Sequence, residues 1–145
     1  MIIGIGTDLC DIQRIEKALE QFGERFKQRL FSNYEQNKAE RRVNPASSYA
    51  QSFAAKEACS KALGTGFRQG VFWRDLVVRN LKTGQPYMEI TGGASKRLNS
   101  LIPENMEASV CLSQTDEYPM AHAIVIISAI PKFLVSKLDT QVQAY

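Results

Sequence analysis

Glu57 and Lys61 stand four residues apart in an alanine-rich stretch, Phe53-Ala54-Ala55-Lys56-Glu57-Ala58-Cys59-Ser60-Lys61-Ala62. A helix there presents both side chains on one face, about one turn from each other. An arbitrary Glu-Lys pair at this spacing is a solvated ion pair worth little. This one flanks an apolar seam of Ala55, Ala58, Cys59 and Ala62, and it precedes Gly64-Thr65-Gly66, whose small residues let backbone N–H groups approach an anion. A phosphate beside a carboxylate needs a cation between them, and Mg2+ binds through one or two carboxylates plus substrate phosphates. Asp8, directly after the β-branched run Ile2 to Ile5, is the natural second carboxylate, with a helix N-cap or turn residue as its equal alternative. Residue types alone therefore lead to an Mg2+-phosphate site and leave the reaction open.

Other chemistries fit less well. Gly4-Ile5-Gly6 resembles the start of a dinucleotide fingerprint, but Leu9 holds the third glycine position and no repeating βαβ pattern follows. His122 is the only histidine and stands in an apolar strand, where a satisfied core or edge residue is expected rather than a base or metal ligand. No Ser, His and Asp grouping points to a hydrolase triad. Cys10, Cys59 and Cys111 are far apart, share no metal-ligand spacing with His122, and suit a reducing cytoplasm.

The elements that must position Asp8, Glu57 and Lys61 are readable from periodicity. Ile2 to Ile5 predicts a buried strand with close backbone approach at Gly4 and Gly6. Ile12, Ile15, Leu19 and Phe22 recur at helical spacing behind an Asp11 cap, with Arg14, Lys17 and Gln21 on the other side. Two short helices follow, one opened by the capping box Ser32-Asn33-Tyr34-Glu35. Asn44-Pro45 starts a long central helix that Gly64 stops, giving about 45–63. Trp73 to Val78 and Tyr87 to Ile90 predict an antiparallel pair around Lys82-Thr83-Gly84-Gln85-Pro86. A helix from Gly93 to Leu101 and strands at Ala108 to Ser113 and Met120 to Ser128 complete an α+β fold, a mostly antiparallel sheet packed with the long helix. Residues 129–145 form a tail, with a short, loosely attached helix expected from Pro131 to Tyr145.

At 145 residues the chain fits one domain, assigned to 1–128. Eighteen Lys and Arg against fifteen Asp and Glu leave a net charge of +3, too small to demand nucleic acid but enough to favour an acidic partner if clustered. The start has no basic leader, and Asp8 interrupts its apolar run, so neither a signal peptide nor a membrane span is expected.

Gly4-Ile5-Gly6-Thr7-Asp8 with Ile12-Gln13-Arg14-Ile15 resembles the opening of the holo-acyl-carrier-protein synthases, the small phosphopantetheinyl transferases. Phe53 to Gly66 is similar to that family's second signature, in the expected order and separation. The similarity continues through Trp73, Asp75, Gly84-Gln85-Pro86-Tyr87, Ser113 and Glu117-Tyr118, covering roughly residues 1 to 128.

The resemblance implies transfer of 4'-phosphopantetheine from coenzyme A to a serine of an acidic acyl carrier protein. It implies that Asp8 and Glu57 hold Mg2+ against the coenzyme A pyrophosphate and that Lys61 contacts a phosphate. Gly64, Thr65, Gln85 and Pro86 would lie along the nucleotide. Toward an acidic carrier protein, Arg14, Lys17 and Arg25 offer a basic face on or beside the first helix, with ordinary solvated charge as the alternative for Lys17 and Arg25. The resemblance further implies a homotrimer with active sites at subunit boundaries. Two positions depart from the pattern: Gln114 stands where many members have histidine and cannot titrate near neutrality, and Ser52 stands where an arginine is frequent. Arg41 or Arg42 is the nearest substitute for that arginine. A different Mg2+-dependent phosphotransferase or nucleotidyl hydrolase, and a non-catalytic module binding coenzyme A or the carrier protein, remain alternatives.

Overall fold

The computed structural model describes residues 1–134. The expected tail helix lies mostly outside them. Strand β1 (Ile2–Asp11) is followed by helices α1 (Ile12–Phe22), α2 (Glu24–Leu30), α3 (Asn33–Glu40) and α4 (Pro45–Ala62). After a 3-10 turn at Trp73–Asp75 come β2 (Leu76–Asn80), β3 (Pro86–Ile90), α5 (Gly92–Leu101), β4 (Met106–Glu117) and β5 (Met120–Pro131). The strands form an antiparallel three-stranded sheet, β1-β5-β4, and a separate antiparallel hairpin, β2-β3. No helix among the described residues is long and apolar enough to cross a membrane.

Helix α4 is the centre of the core. Asn44 caps it by accepting from the Ala46 N–H, Pro45 occupies its first turn, and Ala50, Ala54, Ala55, Ala58, Cys59 and Ala62 are all buried. The same sheet face that carries Gly4, Gly6, Asp8 and Cys10 lies on this helix. A Cβ at Gly4 would run into the Ala62 carbonyl, and one at Gly6 into the Ala58 carbonyl. The glycine pair thus lets β1 approach α4 backbone to backbone, which is the service that a lost side chain provides.

Several boundaries differ from the sequence expectation, among them β4, expected at Ala108 to Ser113 and found at Met106–Glu117, where it pairs with β5 along its whole length. β1 does not end before Asp8 but continues to Asp11, because it pairs with β5 from Ile2↔Ser128 to Asp11↔Met120, so Asp8 lies inside the strand opposite Ala123. Trp73 to Asp75 forms a 3-10 turn, and strand structure begins only at Leu76. β5 runs on to Pro131, past the expected domain limit at residue 128.

Candidate active site

Asp8 points inward from β1, and Glu57 and Lys61 emerge from α4 toward it. All three line one pocket of about 330 Å3, together with Arg14, Phe26 and Phe53. The glycine contacts set this meeting: with Gly6 against Ala58, Asp8 two residues along the strand is carried toward the helical face that holds Glu57 and Lys61.

Lys61 does not pair with Glu57, its neighbour in the helix. Its Nζ donates to Asp8 Oδ1 at 2.7 Å and to the Thr7 carbonyl at 2.9 Å. Burial raises the Glu57 carboxyl above its ordinary pKa and the Asp8 charge raises it further, while Lys61 pulls it down. Cys10 lies on the pocket floor, but burial and the charge of Asp8 push its thiol up to about 11, so it stays protonated at neutral pH and is no nucleophile.

Asp8 and Glu57 fit a divalent cation of the Mg2+ kind. Both offer hard oxygen ligands, and among the described residues no group of three or more His, Cys, Asp or Glu stands together. Two carboxylates would leave the other positions of such an ion to water and phosphate, the coordination Mg2+ favours. Burial and the neighbouring Asp8 charge, only partly offset by Lys61, disfavour the Glu57 carboxylate, and a cation beside it would relieve both.

The loop after α4 is less open to an anion than its glycines imply. The Gly64 N–H bonds the Lys61 carbonyl and the Gly66 N–H bonds the Ser60 carbonyl, closing the helix; the Thr65 amide is not drawn into this closure. Both glycines have positive φ, 75° and 58°. Gln85 and Pro86 sit on the β2-β3 hairpin, which contributes no residue to the acidic pocket.

Of the two cations expected to face a carrier protein, Arg14 lines the pocket and Lys17 is exposed on α1 without lining it. A neighbouring groove of about 460 Å3 shares Phe26 with the pocket and adds Phe22, Arg25, Arg29, Leu30 and Trp73. Phe26 and Arg29, on the short helix α2, carry no sequence signal for a groove, since an aromatic and an arginine there read equally as core edge and solvated charge; Phe22 reads as part of the α1 seam and Phe53 as the start of the α4 signature.

At the two departures, Ser52 is buried on α4, and Gln114 donates to Gln51 Oε1 at 3.4 Å while its own buried Oε1 has no partner. Gln51 also donates to Asp116. Arg41 and Arg42 line a surface pocket with Gln51 and Asp116. His122 shares a 2.7 Å hydrogen bond with Thr7 Oγ1 on the outer face of the sheet; it is satisfied, as expected, but sits half-buried on the central strand rather than in the core or at an edge.

Residues 4–122 match the model of the 4'-phosphopantetheinyl transferase superfamily. The holo-acyl-carrier-protein synthase of Rhizobium rhizogenes is 59% identical over 131 residues, covering 90% of this chain and 98% of its own. The crystal structure of the enzyme of that name from Neisseria meningitidis aligns with a TM-score of 0.77 at 33% identity, covering 88% of this chain and 99% of its own. The Helicobacter pylori enzyme in complex with coenzyme A aligns with a TM-score of 0.72 at 29% identity, covering 86% of this chain and 99% of its own.

Proposed function

The chain belongs to the 4'-phosphopantetheinyl transferase superfamily, and on that premise we propose that it transfers 4'-phosphopantetheine from coenzyme A to a serine of an apo-acyl carrier protein. Adenosine 3',5'-bisphosphate leaves, and the holo-carrier serves fatty acid biosynthesis. The observation that carries this reading is the convergence of Asp8 from β1 with Glu57 and Lys61 from α4 on one pocket, in a chain whose relatives bear the synthase name.

Asp8 and Glu57 would hold Mg2+, which when bound neutralises charge developing on the departing phosphate. Lys61, already turned toward Asp8, has an exposed ammonium placed to contact a phosphate at the pocket mouth. The proton of the attacking serine hydroxyl passes to Glu57 or to a water held at the acid pair, the two bases that the pocket lining offers. Phe26 and Phe53 give the pocket an apolar wall that excludes water beside the reacting phosphorus. Little else is asked of the protein, because phosphoryl transfer is governed by positioning and electrostatics.

Gly64, Thr65, Gln85 and Pro86 are proposed along the nucleotide, with Arg41 or Arg42 supplying the cation that Ser52 does not. Arg14 and Lys17 on α1, continued by Arg25 and Arg29 in the adjoining groove, form a basic and aromatic face suited to an acidic carrier protein. A homotrimer is supported by the outer face of the sheet, where Ile5 and Leu9 are 61% and 63% exposed and Ile124 and Ile126 stand beside them. Three unpaired cysteines support a reducing, cytoplasmic setting.

Mass spectrometry of an apo-acyl carrier protein after incubation with the enzyme, coenzyme A and Mg2+ tests the reaction. A gain of one 4'-phosphopantetheine, abolished by a chelator, is the expected result. Binding of both substrates with no mass gain overturns it.

A further inference from the structure

Lys56, next to Glu57 in the chain, projects into the core rather than into the acidic pocket and is 0% exposed. Its ammonium donates to the Leu30 carbonyl at 2.5 Å, to Glu35 Oε2 at 2.9 Å and to the Trp73 carbonyl at 3.4 Å, and it lies over the Phe31 ring. Glu35 is as deeply placed, at 3% exposure; the same oxygen accepts from the Ser32 N–H, and its other oxygen accepts from the Val78 N–H. One ion pair therefore joins the end of α2, the start of α3, α4, the 3-10 turn and β2.

Two of the three acceptors of the ammonium, Leu30 and Trp73, line the groove that also holds Arg25, Phe26 and Arg29. α2 has only seven residues, too few for a helix to persist alone. Its last turn exposes carbonyls that need donors, and a cation there is favourably placed against the helix dipole. Lys56 supplies that cation from a different element. Trp73 is further fixed by stacking on Phe53 and Phe67, with ring centroids 4.9 Å and 3.7 Å away. Asp8 and Glu57, by contrast, are registered by the Gly4 and Gly6 contacts on α4, in which Lys56 has no part.

We infer that Lys56 is a positioning residue for carrier-protein capture, its buried ion pair with Glu35 holding α2 and the 3-10 turn in the arrangement that shapes the groove beside the active site. The inference rests on the proposed transferase reading and adds a division of labour to it. Glu57 serves the chemistry, and Lys56, one residue away, serves docking.

The test compares wild-type enzyme with Lys56→Met and with the paired Lys56→Met/Glu35→Gln variant, which removes the buried charge without leaving its partner uncompensated. Assays use purified apo-acyl carrier protein and coenzyme A, each varied separately. The inference predicts that KM for the carrier protein rises about tenfold or more while kcat and KM for coenzyme A stay within about twofold. Emission of Trp73, the single tryptophan of the chain, should shift in the same variants. Lys56→Arg, which keeps the charge, should recover part of the loss. An unchanged carrier KM, or a fall in kcat at constant carrier KM, overturns the inference. Where the single variant does not fold, the paired variant reads the same constants, and a paired variant that does not fold also overturns it, since Lys56 is then a general core residue. Absence of transfer by the wild type refutes the transferase reading instead.

Discussion

Lys61 Nζ lies 2.7 Å from Asp8 Oδ1, so the ammonium pairs with the strand carboxylate, while the Glu57 carboxyl, one turn earlier on α4, is raised by burial and by the Asp8 charge and only partly offset by Lys61. On the proposed reading, a cation held by the two acids would take over this compensation and leave Lys61 for a phosphate. Lys61→Met should therefore lower kcat/KM for coenzyme A by about one to two orders of magnitude. It should leave Mg2+ affinity equal to or tighter than that of wild type, since the competing ammonium is gone. Steady-state kinetics with calorimetric Mg2+ titration check both, and a weakened Mg2+ affinity contradicts this role.

Glu57 gives a pH-dependent signature. A carboxyl raised in the folded state binds more protons there than in the unfolded chain, so its contribution to stability falls as pH rises from the ordinary glutamate pKa through the raised one. Glu57→Gln removes that loss. In metal-free protein, the Tm advantage of Glu57→Gln over wild type should grow with pH across this window and then level off, and saturating Mg2+ should shrink it. Thermal melts across pH check this; an advantage that declines with rising pH contradicts it.

Gly6→Ala tests the strand-helix contact. The added methyl meets the Ala58 carbonyl, so β1 must move off α4. The expected cost is about 1–3 kcal/mol of stability. Because Asp8 rides on the same strand, turnover should also drop, even at temperatures where the variant is fully folded. Denaturant unfolding and activity at low temperature separate the two effects.

Much of this arrangement is legible in the sequence because it is local. Asn44-Pro45 and Gly64 bracket α4, Ser32 and Glu35 form the capping box, and the alanine seam marks the helical face that packs. What is not legible depends on distant partners. Gly4, Gly6 and Asp8 are poor strand formers, and β1 reaches Asp11 because β5 pairs with it along its length. Lys56 sits in an alanine-rich helix where a lysine ordinarily reaches solvent, and its burial is determined by Glu35 and Leu30, more than twenty residues away. The same holds for Lys61, whose partner is Asp8 and not the nearby Glu57.

Arg14 adjoins both the acid pair and the basic groove. Arg14→Ala should raise the apparent KM for the carrier protein and flatten its dependence on ionic strength, with KM for coenzyme A little changed. Wild-type values for both carrier parameters would place the docking face elsewhere.

The most direct measurement is the position of a divalent ion in crystals grown with coenzyme A and Mn2+, read from anomalous scattering. The account predicts one peak within bonding distance of both the Asp8 and Glu57 carboxylates and of a coenzyme A phosphate, and its loss in Asp8→Ala crystals. A peak touching only one of the two acids, or an occupied coenzyme A site with no metal between them, would contradict it.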